Sequence, residues 1–148
     1  MNRLTRLVDV FTMLKPYTKS LVAENAAKGT PVQRALFLYN EDDERCYTEQ
    51  HEYLFGPDML VAPVFLAEQT GWEVYIPKGE WIHLWTGAEY GKGIHKVAAE
   101  LGNIPVFYKK GVGVSVPGPV KRSTGVSWHA YRIWSDPVPV GDILRKYM

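Results

Sequence analysis

Glu41, Asp42, Asp43 and Glu44 form the densest run of carboxylates in the chain, and carboxylates commonly serve as general acid and base. A pair that cleaves a glycosidic bond must flank it at about 5–5.5 Å for retention or about 6.5–9.5 Å for inversion. Neighbouring side chains on a loop point in different directions, so the run reads as a solvated loop, with weak calcium binding as the sharper alternative. Asp58 sits between Gly56-Pro57 and the apolar run from Met59 to Pro63, where a carboxylate caps a turn by accepting backbone N–H bonds. It reads as structural.

His51, His83, His95 and His129 lie far apart in sequence, and none forms a ligand pair with another His, a Cys or a nearby helical carboxylate. Cys46 is the only cysteine, which excludes an intrachain disulfide and a multi-cysteine zinc site and fits a reducing compartment. No phosphate-cradling Gly loop, nucleophile elbow or zinc motif is present; "GAEYGKG", from Gly87 to Gly93, reads as a hairpin-type loop. No metal or cofactor is expected. Trp72, Trp81, Trp85 and Tyr90 could stack on the apolar face of a pyranose, but clustered aromatics on short strands read first as core.

The remaining composition is that of a globular chain: 148 residues, 46% hydrophobic and 22% charged, with a net charge of +1. Lys109-Lys110 and Lys121-Arg122 are too short to make a basic stripe, so neither nucleic acid nor an anionic membrane is an expected partner. No apolar run reaches the ~20 residues that span a bilayer. With the single cysteine, this gives a cytoplasmic reading.

The elements that must position these residues begin with a helix. Leu4, Leu7, Val8, Phe11 and Leu14 recur at three- and four-residue steps, which aligns them on one face. Pro16 lacks the ladder N–H and predicts a kink or restart, after which Leu21, Val22 and Asn25 continue. Gly29 supplies a left-handed cap and Pro31 blocks further helix. "VQRALFLY", Val32 to Tyr39, reads as a strand, and a short helix is predicted through Glu49 to Leu54, ended by Gly56-Pro57.

Beyond that point "MLVAPVF", "WEVYIP", "WIHLWTG" and "IPVFYKKG", separated by turn residues, predict an antiparallel β-sandwich. Trp72, Val74 and Ile76 alternating with Glu73 and Tyr75 predict one buried and one half-exposed face. After Gly111 the text is rich in Pro and Gly and carries no assignable period. The organisation is thus a helix over 1–30, a sandwich over 31–112 and an irregular tail over 113–148.

"LKPY", "GTPVQRALFLYNEDD", "YLFGPDMLVAPVF", "WEVYIPKGEWIHLWTG" and "GNIPVFYKKG", in that order, resemble glycoside hydrolase family 31. The resemblance implies a retaining α-glycosidase whose (β/α)8 barrel carries two catalytic aspartates, both upstream of the matched region. It further implies that 1–30 is the last helix of a barrel otherwise absent, and that the sandwich packs on that barrel as its partner. Arg34 and Asp58 would position backbone; no catalytic residue is expected in the chain. "RLVDVFTMLKPY" and "WIHLWTG" look closest to the sulfoquinovosidase branch, with the α-glucosidase and α-xylosidase branches open. The departure after Gly111 and a start inside a periodic helix are read as a fragment or truncated reading frame. Two further readings stay open: a free-standing carbohydrate-binding sandwich, and a subunit docking on a separately encoded barrel through Leu4, Leu7, Phe11 and Leu14.

Overall fold

The computed structural model describes residues 3–111, which divide after Thr30 into a helical unit and a β unit. Helix α1, Arg3–Lys28, is one 26-residue element with Pro16 inside it. The predicted restart does not occur. A proline deletes a single ladder donor, and the turns around it stay closed, with Thr12 Oγ1 donating to Val8 O and Thr18 Oγ1 to Leu14 O, both at 2.9 Å. Leu21 is buried whereas Val8, Phe11 and Val22 are exposed, so Val22 does not share the buried side. The helix ends where Gly29 takes φ +73° and donates to Asn25 O at 2.8 Å, the left-handed cap expected of that glycine.

The β unit is built on antiparallel strands throughout, as expected of the sandwich. Its strands are β1 (Gln33–Arg34), β2 (Tyr53–Phe55), β3 (Met59–Val61), β4 (Gly71–Ile76), β5 (Trp81–His83), β6 (Glu89–Tyr90), β7 (Gly93–Ala98) and β8 (Val106–Lys109). Six of them form one sheet in the order β1-β2-β3-β8-β5-β6, while β4 and β7 form a separate two-stranded sheet, an open hairpin whose connection carries β5 and β6. Strand register sets which side chains meet. Arg34, Leu54, Leu60, Phe107 and His83 face one another in a row across five strands. Leu54, Leu60, Phe107 and Trp81 pack in one cluster with Val74, Ile76 and Val97 of the hairpin, which is the sandwich core. The opposite face of the large sheet is also apolar: Met59, Val61, Val106 and Tyr108 are all buried.

Three local expectations are corrected. Strand β1 is only two residues long; Leu36–Tyr39 form a 3-10 turn instead of continuing it. Asn40 explains the difference, because its Nδ2 donates to Leu36 O at 2.9 Å and its N–H to Phe37 O at 3.2 Å, a local alternative to a sheet ladder. The predicted helix over Glu49 to Leu54 is displaced: α2 is Glu44–Thr48, and Tyr53–Phe55 is strand. Asp43 caps α2, its carboxylate accepting the Arg45 N–H at 3.3 Å, with Glu44 favourably placed at the positive end. Gly56-Pro57 therefore make the β2–β3 turn, Phe55 pairing Met59, and Gly56 supplies the φ of +64° it needs.

The third correction concerns β4, where alternation fails: Val74, Tyr75 and Ile76 are all buried. Tyr75 lies on the face expected to be half-exposed. It is buried there because its hydroxyl reaches the cap of α2.

Candidate functional site

The recognisable motifs act as turns that hold strands. In "PKGEW", Gly79 adopts φ +122°, a backbone conformation that side chains rarely take, while a Cβ there would meet Trp81 Nε1 only in ordinary contact at 3.6 Å; the turn's backbone is what calls for glycine. In "WTG", the Thr86 hydroxyl sits 2.8 Å from His83 Nδ1 and accepts the Ala88 N–H at 3.3 Å. Gly87 closes the loop with φ +71° and an N–H bond to His83 O at 2.9 Å. Beyond the turn, Glu89–Tyr90 form β6, so the "GAEYGKG" loop is partly strand.

Arg34 is 1% exposed and spans the β1 turn, its Nε donating to Pro31 O at 2.7 Å and its Nη1 to the Tyr39 hydroxyl. Its guanidinium also lies 5.5 Å from the centre of the Tyr39 ring. Asp58 closes the β2–β3 turn, and its carbonyl accepts the Lys109 N–H at 3.0 Å. Both lie in backbone-holding turns.

The four aromatics are not brought to one open platform. Trp81 is 1% exposed in the core, which leaves no ring face for a pyranose, and Trp72 and Tyr90 pack against that core from its edge. Trp85 Nε1 donates to Ile104 O at 2.6 Å. Trp72 instead meets Phe65 edge-on at 4.9 Å, and Phe65 in turn lies 4.6 Å from the His51 ring. His95 bonds Gly91 O through Nε2 at 2.9 Å, and burial lowers the pKa of His83. His129 falls outside the described residues.

The acidic run is where sequence reasoning missed most. Asp43 is buried, unlike the solvated loop residue expected, and its Oδ2 accepts the Tyr75 hydroxyl at 2.6 Å and the Lys92 ammonium at 2.7 Å. The Lys92 bond, then the Tyr75 bond, hold its pKa below the usual carboxylate value. Four residues after the end of α2 and directly ahead of β2, Glu52 is also buried, with Oε1 accepting the Tyr75 N–H at 2.7 Å. Burial pushes the Glu52 pKa up to about 8, partly offset by that N–H. Tyr75 is thus held by Asp43 at its hydroxyl and by Glu52 at its amide.

Around this pair, burial raises the Cys46 thiol to about 11 and the Tyr75 phenol to about 12, the carboxylate of Asp43 adding to both. A thiol so poised is a poor nucleophile at neutral pH. An Asp before Glu-Arg is an N-cap pattern, a signal for Asp43 that the reading of the run as a loop passed over; nothing in the sequence marks Glu52. Among the described residues no group of three or more His, Cys, Asp or Glu is placed to hold a metal ion.

Comparison with known proteins places this architecture. The profile of the glycosyl hydrolase family 31 C-terminal domain matches residues 29–112. The chain is 48% identical over 104 residues to the sulfoquinovosidase of Escherichia coli (strain K12), covering 70% of this chain and 15% of that protein. It is 39% identical over 110 residues to alpha-glucosidase 2 of Bacillus thermoamyloliquefaciens, covering 74% of this chain and 14% of that protein. Among solved structures, a family 31 alpha-xylosidase from a soil metagenome, complexed with xylose, superposes with a TM-score of 0.67 at 37% identity. That match covers 70% of this chain and 16% of the other. The chain spans about one sixth or less of the length of these relatives.

Proposed function

The chain belongs to glycosyl hydrolase family 31, and from that premise we propose that it is the C-terminal scaffold of a retaining α-glycosidase and holds neither catalytic carboxylate. The observation that carries the proposal is the engagement of its buried carboxylates. Asp43 accepts three donors, from Arg45, Tyr75 and Lys92, and Glu52 accepts the Tyr75 N–H. Each is thereby committed to the fold, whereas a nucleophile and an acid/base must face one glycosidic bond from two sides.

On this reading the substrate is an α-glycoside bound by the barrel of the parent enzyme. The identity to a sulfoquinovosidase favours that branch, with an α-glucosidase as the neighbouring choice. Helix α1 is then the barrel's final helix and 31–112 its proximal sandwich, with the Pro- and Gly-rich 113–148 left unassigned. A cytoplasmic location fits the lone buried Cys46, and among the described residues no helix is long and apolar enough to cross a membrane.

A second reading, a subunit that docks on a separately encoded barrel, is favoured by Phe11, which is 75% exposed on the apolar stripe of α1. Immunoblotting of native extract with an antibody to Tyr53–Phe65 separates the two. A species several times larger than 16.8 kDa supports the covalent scaffold. A species at that mass, co-purifying with a larger glycosidase, supports the subunit.

A further inference from the structure

Tyr75 ties three elements of the β unit together. Its hydroxyl binds the cap of α2 through Asp43, its amide binds Glu52 ahead of β2, and its backbone belongs to the β4–β7 hairpin. The groups facing this junction come from each of those elements. Arg45 of α2 lies 5.8 Å from the Tyr75 ring centre and pairs with Glu49 at 3.3 Å. Lys92, just ahead of β7, holds Asp43, and Cys46 of α2 is buried beside them.

Glu52 is the weak point of the junction in chemical terms. Its Oε1 has the Tyr75 N–H, but its Oε2 is buried with no hydrogen-bond partner among the described residues. A protonated carboxyl tolerates that position; a carboxylate there has one oxygen desolvated and unpaired, beside the negative charge of Glu49.

We propose that Glu52 is an alkaline-sensitive latch: while it carries its proton the β4–β7 hairpin stays seated against α2, and loss of that proton unseats the hairpin locally. The other groups keep their charge through the transition. Asp43 is ionised, held so by Lys92 and Tyr75; Lys92 is held protonated by Asp43; Tyr75 and Cys46 are pushed to about 12 and 11. Because the Glu52 pKa is raised in the folded state, its stabilising contribution is complete below the ordinary carboxylate value of 4.5 and is lost as pH climbs through about 8. The proposal is independent of the barrel assignment, since it concerns contacts within 31–111.

Hydrogen–deuterium exchange of the 148-residue chain tests it, with each rate divided by the intrinsic rate at that pH. Amides of Gly71–Ile76 and Gly93–Ala98 should lose protection progressively, by more than tenfold, between about pH 5 and pH 8 and level off above that, while those of Met59–Val61 and Val106–Lys109 hold theirs. Glu52→Gln should abolish the step; Asp43→Asn should weaken hairpin protection at every pH yet keep it. An unchanged step in Glu52→Gln, or a loss spread evenly over both sheets, overturns the latch. Should Glu52→Gln fail to fold, carbon-13 NMR of the Glu52 carboxyl in the unaltered chain decides. A midpoint near 8, where the protection loss levels off, supports the latch, and a midpoint near 4.5 overturns it.

Discussion

The Tyr75 hydroxyl donates to Asp43 Oδ2 at 2.6 Å across 32 residues of sequence, joining a strand of the small hairpin to the first turn of α2. Both partners are buried, so the bond is shielded from water and its loss leaves a buried carboxylate short of a donor.

Tyr75→Phe should therefore lower unfolding stability by about 1.5–3 kcal/mol at neutral pH. Its effect should shrink in acid. The Asp43 pKa is lowered in the folded state, so the stability it provides is present above its ordinary value of 3.8 and is lost as pH falls through the folded value. Urea unfolding of both proteins across acid pH, followed by circular dichroism, should show the two curves converging.

Arg34 offers a second test, because a buried guanidinium serving Pro31 O and the Tyr39 hydroxyl cannot be replaced by a point charge. Arg34→Ala should destabilise by about 3 kcal/mol, chiefly through the cavity left by a buried side chain, since Pro31 and Tyr39 are exposed and can turn to water. Arg34→Lys should recover less than half of that. Thermal melts of the three proteins would check both.

Trp81 separates packing from hydrogen bonding. Its Nε1 has no hydrogen-bond partner among the described residues, whereas Trp85 Nε1 donates to Ile104 O. Trp81→Ala should cost about 3–5 kcal/mol by cavity formation. Trp81→Phe should be much milder, since it sacrifices volume and no bond, and chemical denaturation measures the difference.

Cys46 is 1% exposed with its thiol raised to about 11, so Ellman's reagent should label it in the folded chain only as fast as local opening allows. Labelling should accelerate by orders of magnitude in denaturant. Equal rates in the two states would mean that α2 does not cover the sulfur.

Much of this fold could be read from the residues, and the misses share a cause. Strands bounded by Gly and Pro, and the helix cap at Gly29, follow from local backbone preference, which sequence states directly. "VQRALFLY" was misread because Asn40, outside the apolar run, turns it into a 3-10 segment through its own amide. Of the run Glu41 to Glu44 only Asp43 was misread as solvated, because the partners that bury it, Tyr75 and Lys92, lie far along the chain; the other three are exposed. Burial created by a distant partner leaves no local pattern, and the same holds for Glu52. Of the four aromatics only Trp81 is in the core, with Trp72 and Tyr90 packed against it, and only register shows that Trp81 and Tyr90 face each other across β5 and β6.

The central claim is that this chain supplies scaffold and no chemistry. Its most direct test is steady-state turnover of aryl α-glucoside and aryl α-sulfoquinovoside by the purified 148-residue protein, beside a mock purification. The account predicts release indistinguishable from the mock at every protein concentration. Turnover that scales with the purified chain, exceeds the mock and is abolished by Asp43→Asn or Glu52→Gln in a folded protein would contradict it.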